Sequence, residues 1–236
     1  MSNKEIKYLR GMLIDIGTKI GDTSVPYSEG KTVMGVIGDG LLTEYFACKT
    51  LIDTVINLDE KIRFSLDKAI YASYSKEVIN NFDIMKKGGK EEFLAYYYIE
   101  NAIYRTSTIW DCLAQLYNLH YSVGERKDRI HYKTFFNNMG QEKKFRTLSK
   151  IPSINQYLNE KDDTNTNGRW LGNHQYIKDY RNKLTHRNSP DEVSLSNYDF
   201  NLKTHPSFIL KRLIEDYHIA SSNFIEISKE VMNSSG

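Results

Sequence analysis

Apolar residues return at three- and four-residue steps along most of this chain, the spacing that lines one face of an α-helix. Val33, Ile37, Leu41, Tyr45, Cys48, Ile52 and Val55 form one such series, which argues a helix despite Gly35, Gly38 and Gly40. Ile62, Leu66, Ile70 and Val78 carry the pattern on toward Met85, with Asp59 as the predicted N-cap of this second helix and Lys86-Lys87-Gly88-Gly89 as its stop. The stretch from Glu91 to Tyr121 is the most apolar. Tyr96, Ile103, Trp110 and Tyr117 recur every seven residues, and Ile99, Thr106 and Leu113, then Ile109 and Leu116, add adjoining rows. Apolar cover on more than one face predicts the central helix of a bundle. Pro206 suits a first helical turn, and Leu210, Leu213, Ile214, Tyr217, Phe224, Ile227 and Val231 give the helix after it a single apolar stripe.

Between these helices the chain is polar. Residues 161–168 read as a loop, and so does His186 to Pro206, opened by Asn188-Ser189-Pro190. No alternation of period two lasts long enough to build a sheet. The pattern as a whole predicts an all-α fold, a helical bundle with long antiparallel helices. Residues 1–88 form an N-terminal helical region and 89–236 a second helical domain, the two packed as one globular unit.

Composition narrows the class. The chain has 236 residues, 40% hydrophobic and 26% charged, with a net charge of +2, so no global field marks a nucleic-acid binder. Cys48 and Cys112 stand far apart without paired-ligand spacing and read as buried free thiols in a reducing compartment. No stretch is apolar and long enough to span a bilayer, and no signal peptide is recognisable, which predicts a cytoplasmic protein without a membrane partner. The 17 tyrosines suggest stacking platforms, but the excess of Lys over Arg, 22 to 10, points to codon bias as the simpler source.

Most chemical motifs fail on inspection. Gly30-Lys31-Thr32 has the ending of a phosphate-binding loop, yet Val25 stands where its first glycine belongs. None of the six histidines has a metal partner at recognisable spacing, so neither a metal nor a cofactor is expected. One run remains: Arg181-Asn182-Lys183-Leu184-Thr185-His186. Arginine forks hydrogen bonds onto phosphate, and histidine exchanges protons near neutral pH. Spacing alone is cheap. Ten arginines and six histidines give about 0.25 Arg-x4-His pairs by chance, and three occur: Arg126 with His131, Arg169 with His174, and Arg181 with His186. Requiring Asn directly after Arg lowers the expectation to about 0.02, and only Arg181 passes. Arg126 to His131 lies in a charged, loop-like stretch, and Arg169 to His174 spans Gly172 and a helix start. Arg181 instead flanks the apolar face Ile177, Tyr180 and Leu184 of an amphipathic helix ending near residues 185–187, which leaves His186 at a helix C-terminus.

Arg181-Asn182-x-x-x-His186 resembles the hallmark of the HEPN superfamily of all-helical proteins, in which Arg is followed after four to six residues by His, often with a polar residue next to the Arg. The resemblance extends as helical pattern over roughly residues 90–232. It implies a metal-independent endoribonuclease in which the 2′-hydroxyl attacks the adjacent phosphorus, His186 serves as general base or acid, Arg181 holds the phosphate, and Asn182 orients the histidine or the phosphate. It further implies a homodimer with a composite cleft, RNA as substrate, a toxin or defence role, and a protein antitoxin as a candidate partner. The tyrosine that some HEPN toxins carry two residues past the His is Asn188 here, so its regulation is not carried over. The alternative is a catalytically silent HEPN-like module that binds a protein or nucleotide.

Related proteins often aim a polar side chain from the long central helix at the motif, a part that Arg105 or Asp111 would fill; an exposed helix edge is the plainer reading of both. Two basic islands offer an RNA surface against the low overall charge. Residues 125–150 hold eight basic and three acidic residues, among them Lys143, Lys144 and Arg146, with Tyr132, Phe135, Phe136 and Phe145 interleaved. Residues 169–187 hold five basic and one acidic, including Lys178, Lys183 and Arg187. A solvated loop over a few buried aromatics is the plainer reading of the first island.

Overall fold

The computed structural model describes residues 2–21, 40–146, 150–166, 169–186, 190, 194–195 and 200–234; side chains at 2, 40–45, 146, 164–166, 169–170, 186, 194–195, 200 and 234 fall outside that description. In chain order the helices are α1 (Ser2–Gly11), α2 (Ile16–Ile20), α3 (Gly40–Ser73), α4 (Lys76–Asn81), α5 (Lys90–His120), α6 (Tyr132–Gln141), α7 (Lys143–Arg146), α8 (Lys150–Asn159), α9 (Asn173–His186) and α10 (Pro206–Ser234). The fold is all-α. Two short antiparallel ladders interrupt the connectors: β1 (Asp163–Thr166) with β2 (Arg169–Leu171), and β3 (Ser194–Leu195) with β4 (Phe200–Asn201). β1 falls in residues 161–168 and β3 and β4 in the stretch from His186 to Pro206, both of which read as loops, and β2 lies just beyond the first; strands of two to four residues are too short to show a period. No described helix is long and apolar enough to cross a membrane.

α5 is the axis, and its sequence explains why. Tyr96, Ile103, Trp110 and Tyr117 are buried, and so are Ile99, Thr106, Leu113, Ile109 and Leu116, so three rows face three sets of neighbours. Each fully buried apolar side chain contributes about 1.5–3 kcal/mol relative to exposure. α3 lies antiparallel to α5: Glu91 N–H donates to Glu77 just past the end of α3, while Phe64, farther back, meets the Tyr98 ring edge-on at 6.4 Å. α10 runs parallel to α5, as three side-chain contacts show in step: Tyr96 with Thr204, Trp110 with Asp216, and Tyr121 with Glu230. One core joins Leu9 and Ile16 to Val231, so residues before 89 pack into the same core as those after it.

Two helices differ from the sequence reading. Asp59 is not an N-cap. α3 is continuous through it, because the Asp59 carboxylate, 1% exposed, receives Ile16 N–H at 3.1 Å, Arg63 Nε at 2.8 Å and the Tyr217 hydroxyl. It thus clasps α2 to α3 and α10. The series from Val33 to Gly38 lies outside the described residues, and the segment after Ser73 becomes the separate α4, capped by Ser75 onto Val78 N–H. α10 is not a single stripe either. Besides its apolar residues it buries Arg212 and Asp216, and these two position the region that carries the motif.

Candidate functional site

α9 is fixed at its start by four hydrogen bonds and a cation–π contact. Gly172 has φ +69°, and a Cβ there would overlap the backbone of Lys161 and Asp162, so the tight entry requires glycine. Gly172 N–H donates to Glu160 at 2.8 Å, and Asn173 Nδ2 donates to Glu215 at 2.6 Å. Arg212, wholly buried, donates from Nη2 to Asp162 at 2.6 Å and to the Leu171 carbonyl at 3.0 Å, and its guanidinium lies 4.3 Å from the Tyr176 ring centroid. Asp162 and Leu171 bracket the β1–β2 ladder, so one arginine holds ladder and helix together.

The next residue, His174, is 3% exposed and bonded at both ring nitrogens, Nδ1 to Asp216 at 3.1 Å and Nε2 to the Tyr132 hydroxyl at 3.0 Å. Trp110 Nε1 (3.3 Å) and the Tyr157 hydroxyl (3.1 Å) also donate to Asp216. The network closes with Nδ1–H donating to Asp216 and Nε2 accepting from Tyr132. His174 is therefore a structural histidine that joins α5, α6, α8, α9 and α10.

Arg181 stands two turns further along the same stripe of α9, about 10.5 Å along the axis and about 20° around it. It is half-buried, near Tyr132 of α6 and Asp111 of α5. Asp111 is itself partly buried. Burial pushes its pKa above the usual carboxylate value, against the pull of a hydrogen bond from Tyr132 N–H and of the nearby charges of His131 and Arg181. His131, exposed, stacks on the Tyr132 ring with centroids 4.9 Å apart and planes at 24°. Tyr132 thus stands where α5, α6 and α9 come together, its ring near Trp110 and its hydroxyl on His174, while Asp111 feels the charges of His131 and Arg181. Of the two polar candidates on α5, Asp111 lies by Arg181. Arg105 does not: it donates from Nη1 to Asn101 O at 2.8 Å and lines a groove between α3 and α5 with Glu60, Phe64 and Tyr98. The two positions sit about 120° apart on the helix, which separates their surroundings.

α9 is described as far as His186, with the Thr185 hydroxyl returned to the Arg181 and Asn182 carbonyls at 3.2 Å each. The His186 side chain and the whole of Arg187 lie outside the described residues. Asn182 and Lys183 are exposed and face a cleft of about 770 Å³ lined also by Asp162, Tyr176, Asp179 and Thr204. Arg181 does not line it, so the motif's adjacent Arg and Asn look to different sides of α9. Lys178 lies beside Lys133 of α6, whose own charge is disfavoured first by burial and then by that neighbour. Lys143 and Lys144 are exposed on α7, and the Arg146 side chain is outside the description. The aromatics interleaved with that island are core, not a stacking surface: Tyr132, Phe135, Phe136 and Phe145 are each at most 4% exposed. Tyr132, read in the sequence only as one aromatic of the first basic island, ties α6 to α9 through His174, a contact that depends on how α6 and α9 pack.

The chain matches the model of the HEPN_Cthe2314-like HEPN family over residues 51–229, a span that begins within α3 rather than at residue 90 and takes in α5, α9 and most of α10. No curated protein and no solved structure matches it. With three quarters of its length inside that match, the chain belongs to the HEPN_Cthe2314-like HEPN family.

Proposed function

We propose that this protein is a metal-independent endoribonuclease whose site is built on Arg181 and His186. The observation that carries the reading is the placement of Arg181: half-buried, its charge felt by the Asp111 carboxylate of α5, on the same helix as His186. A half-buried guanidinium that makes no ion pair among the described residues keeps its donors for a phosphate. In the reaction the 2′-oxygen loses its proton and bonds to phosphorus, the bond to the 5′-oxygen breaks, and that oxygen takes up a proton. Arg181 stabilises charge on the non-bridging oxygens. His186 acts in proton transfer. Asn182 stands four residues before His186, about 40° away around the helix, where it would orient the imidazole. Two copies would meet at the motif to form a composite cleft, the homodimer that the family resemblance implies. Lys178 and Lys133 supply positive charge along the approach.

A second reading, a binding module without catalysis, is favoured by the cleft itself, which takes Asn182 and Lys183 away from Arg181 and is roomy enough for a nucleotide. Incubation of the purified protein with single-stranded RNA in chelator separates the two. Cleavage that falls at least a hundredfold in Arg181→Ala and in His186→Ala supports the nuclease; RNA or nucleotide binding without cleavage supports the module.

A further inference from the structure

The face made by α3 and α5 leaves five aromatic side chains in solvent: Phe64 (59% exposed) and Tyr71 (70%) on α3, and Phe93 (63%), Tyr97 (50%) and Tyr104 (42%) on α5. Phe64 and Tyr71 stand one heptad apart on one stripe of α3, as Tyr97 and Tyr104 do on α5, and Phe93 lies one turn before Tyr97. Ring contacts join the two helices into one patch. Phe93 stacks on Tyr97 at 6.3 Å, Tyr97 meets Tyr98 edge-on at 5.3 Å, and Tyr98 meets Phe64 edge-on at 6.4 Å. An aromatic side chain carries about 150–250 Å² of surface, so the exposed fractions of the five add up to roughly 600 Å². That reaches the upper end of what the surface of a monomer ordinarily shows, about 300–600 Å². It is also most of the about 800 Å² per partner that a standard protein interface covers.

Charge and shape say what covers this patch. Over residues 60–71 and 93–105, Lys61, Lys68 and Arg105 balance Glu60, Asp67 and Glu100, while Arg63 is taken up by Asp15 and Asp59. Single-stranded RNA calls for a basic groove beside the rings, and this face has no net charge. A second copy meets no repulsion there. Between α3 and α5 opens a groove of about 330 Å³, lined by Phe64, Tyr97, Tyr98, Asn101 and Arg105, and Tyr104 follows one turn after Asn101. Ring and groove thus lie side by side on one surface, the self-complementarity that a two-fold interface requires. The face is also level with the motif. α9 runs antiparallel to α10, because Asn173 bonds to Glu215 at 2.6 Å while Tyr176 meets Phe208 at 5.6 Å, and α10 runs parallel to α5. The His174 ring lies 5.3 Å from Trp110, so Arg181, two turns further along α9, stands at about the level of Ile103 and Tyr104.

We propose that two copies of this chain associate through the α3–α5 face, about a two-fold axis near Tyr104, with the Tyr104 ring of each copy seated in the groove of the other. The association does not depend on catalysis. Its bearing on the composite cleft rests on the ribonuclease reading above: an axis at the level of Tyr104 brings the Arg181 of both copies to one level of the dimer.

Sedimentation velocity on the full chain measures the association. Wild type should be a dimer at micromolar concentration. The double variant Tyr97→Glu with Tyr104→Glu places four carboxylates in the interface and should raise the dissociation constant by about a hundredfold or more. Its helix content and melting temperature should match wild type, because both rings are exposed in the single chain. Tyr8→Glu, as exposed but on α1, should stay dimeric. A short bismaleimide gives a second readout that leaves the other rings in place: Tyr104→Cys should be joined to its copy and Tyr8→Cys should not, the native Cys48 and Cys112 being buried. A monomeric wild type, a double variant as dimeric as wild type, or a dimer in which Tyr104→Cys is not joined overturns the proposal. A monomeric wild type whose binding to a single-stranded RNA oligonucleotide is lost in the double variant overturns it in favour of a base-stacking surface. A dimer that leaves RNA intact upholds this interface and contradicts the ribonuclease reading; a monomer that cuts RNA does the reverse.

Discussion

The Tyr132 hydroxyl meets His174 Nε2 at 3.0 Å and so ties the first turn of α6 to the first turn of α9. Both residues are buried, and His174 in turn donates to Asp216. Tyr132→Phe removes the donor and leaves a buried ring nitrogen without a partner. It should lower unfolding free energy by about 1–3 kcal/mol. Asp216→Ala strands three donors, from Trp110, Tyr157 and His174, and should cost more than Tyr132→Phe. Urea denaturation of the three proteins checks the order; a Tyr132→Phe protein as stable as wild type contradicts it.

Gly172→Ala should destabilise at least as strongly as Tyr132→Phe. At φ +69° an L side chain is strained, and its Cβ would collide with backbone at Lys161 and Asp162, not with a movable side chain. The same substitution at Gly11, which has open space and no positive φ, should leave stability unchanged or slightly improved. Thermal melting of the pair is the measurement.

Stability should fall at alkaline pH. Burial pushes the pKa values of Tyr117, Tyr132, Tyr157 and Tyr217 well up, Tyr176 up to about 12 and the Cys112 thiol up to about 11. In the unfolded chain these groups ionise near 10 and 8.5. The folded state therefore holds more protons above those values. The stability they contribute is complete below about pH 8.5 and is lost as pH rises toward the folded values, by up to about 1.4 kcal/mol per pH unit for each group. Urea midpoints that stay level from about pH 8 to about pH 10.5 would contradict this.

Arg105→Ala should leave RNA cleavage within about twofold of wild type, whereas Asp111 variants should not. The pair also shows how far the sequence could see. Both are polar breaks in an apolar helix, and heptad spacing gives their relative angle but not which neighbour each will meet. That depends on α6 and α9, which close over one side of α5 only after folding. Asp59 misled because a local capping pattern cannot reveal that the donors are Ile16 and Tyr217, 43 and 158 residues away. By contrast, the reach of α5 to within a residue at each end and the start of α10 at Pro206 were legible, since periodicity and breakers are local properties of the chain. β1 and β2 were not, because four polar residues such as Asp163–Thr166 carry no pattern and pair only where Arg212 holds their ladder.

Chemistry at the 2′-oxygen is the most direct test of the account. An RNA and its counterpart with a single 2′-deoxy nucleotide at the cleaved position are incubated with the protein in excess chelator, beside Arg181→Ala, and the ends of the products are identified. The account predicts that the RNA yields a 2′,3′-cyclic phosphate and a 5′-hydroxyl, that the 2′-deoxy position is not cut, and that Arg181→Ala cuts neither. Cleavage at the 2′-deoxy position, or undiminished cleavage by Arg181→Ala, would contradict it.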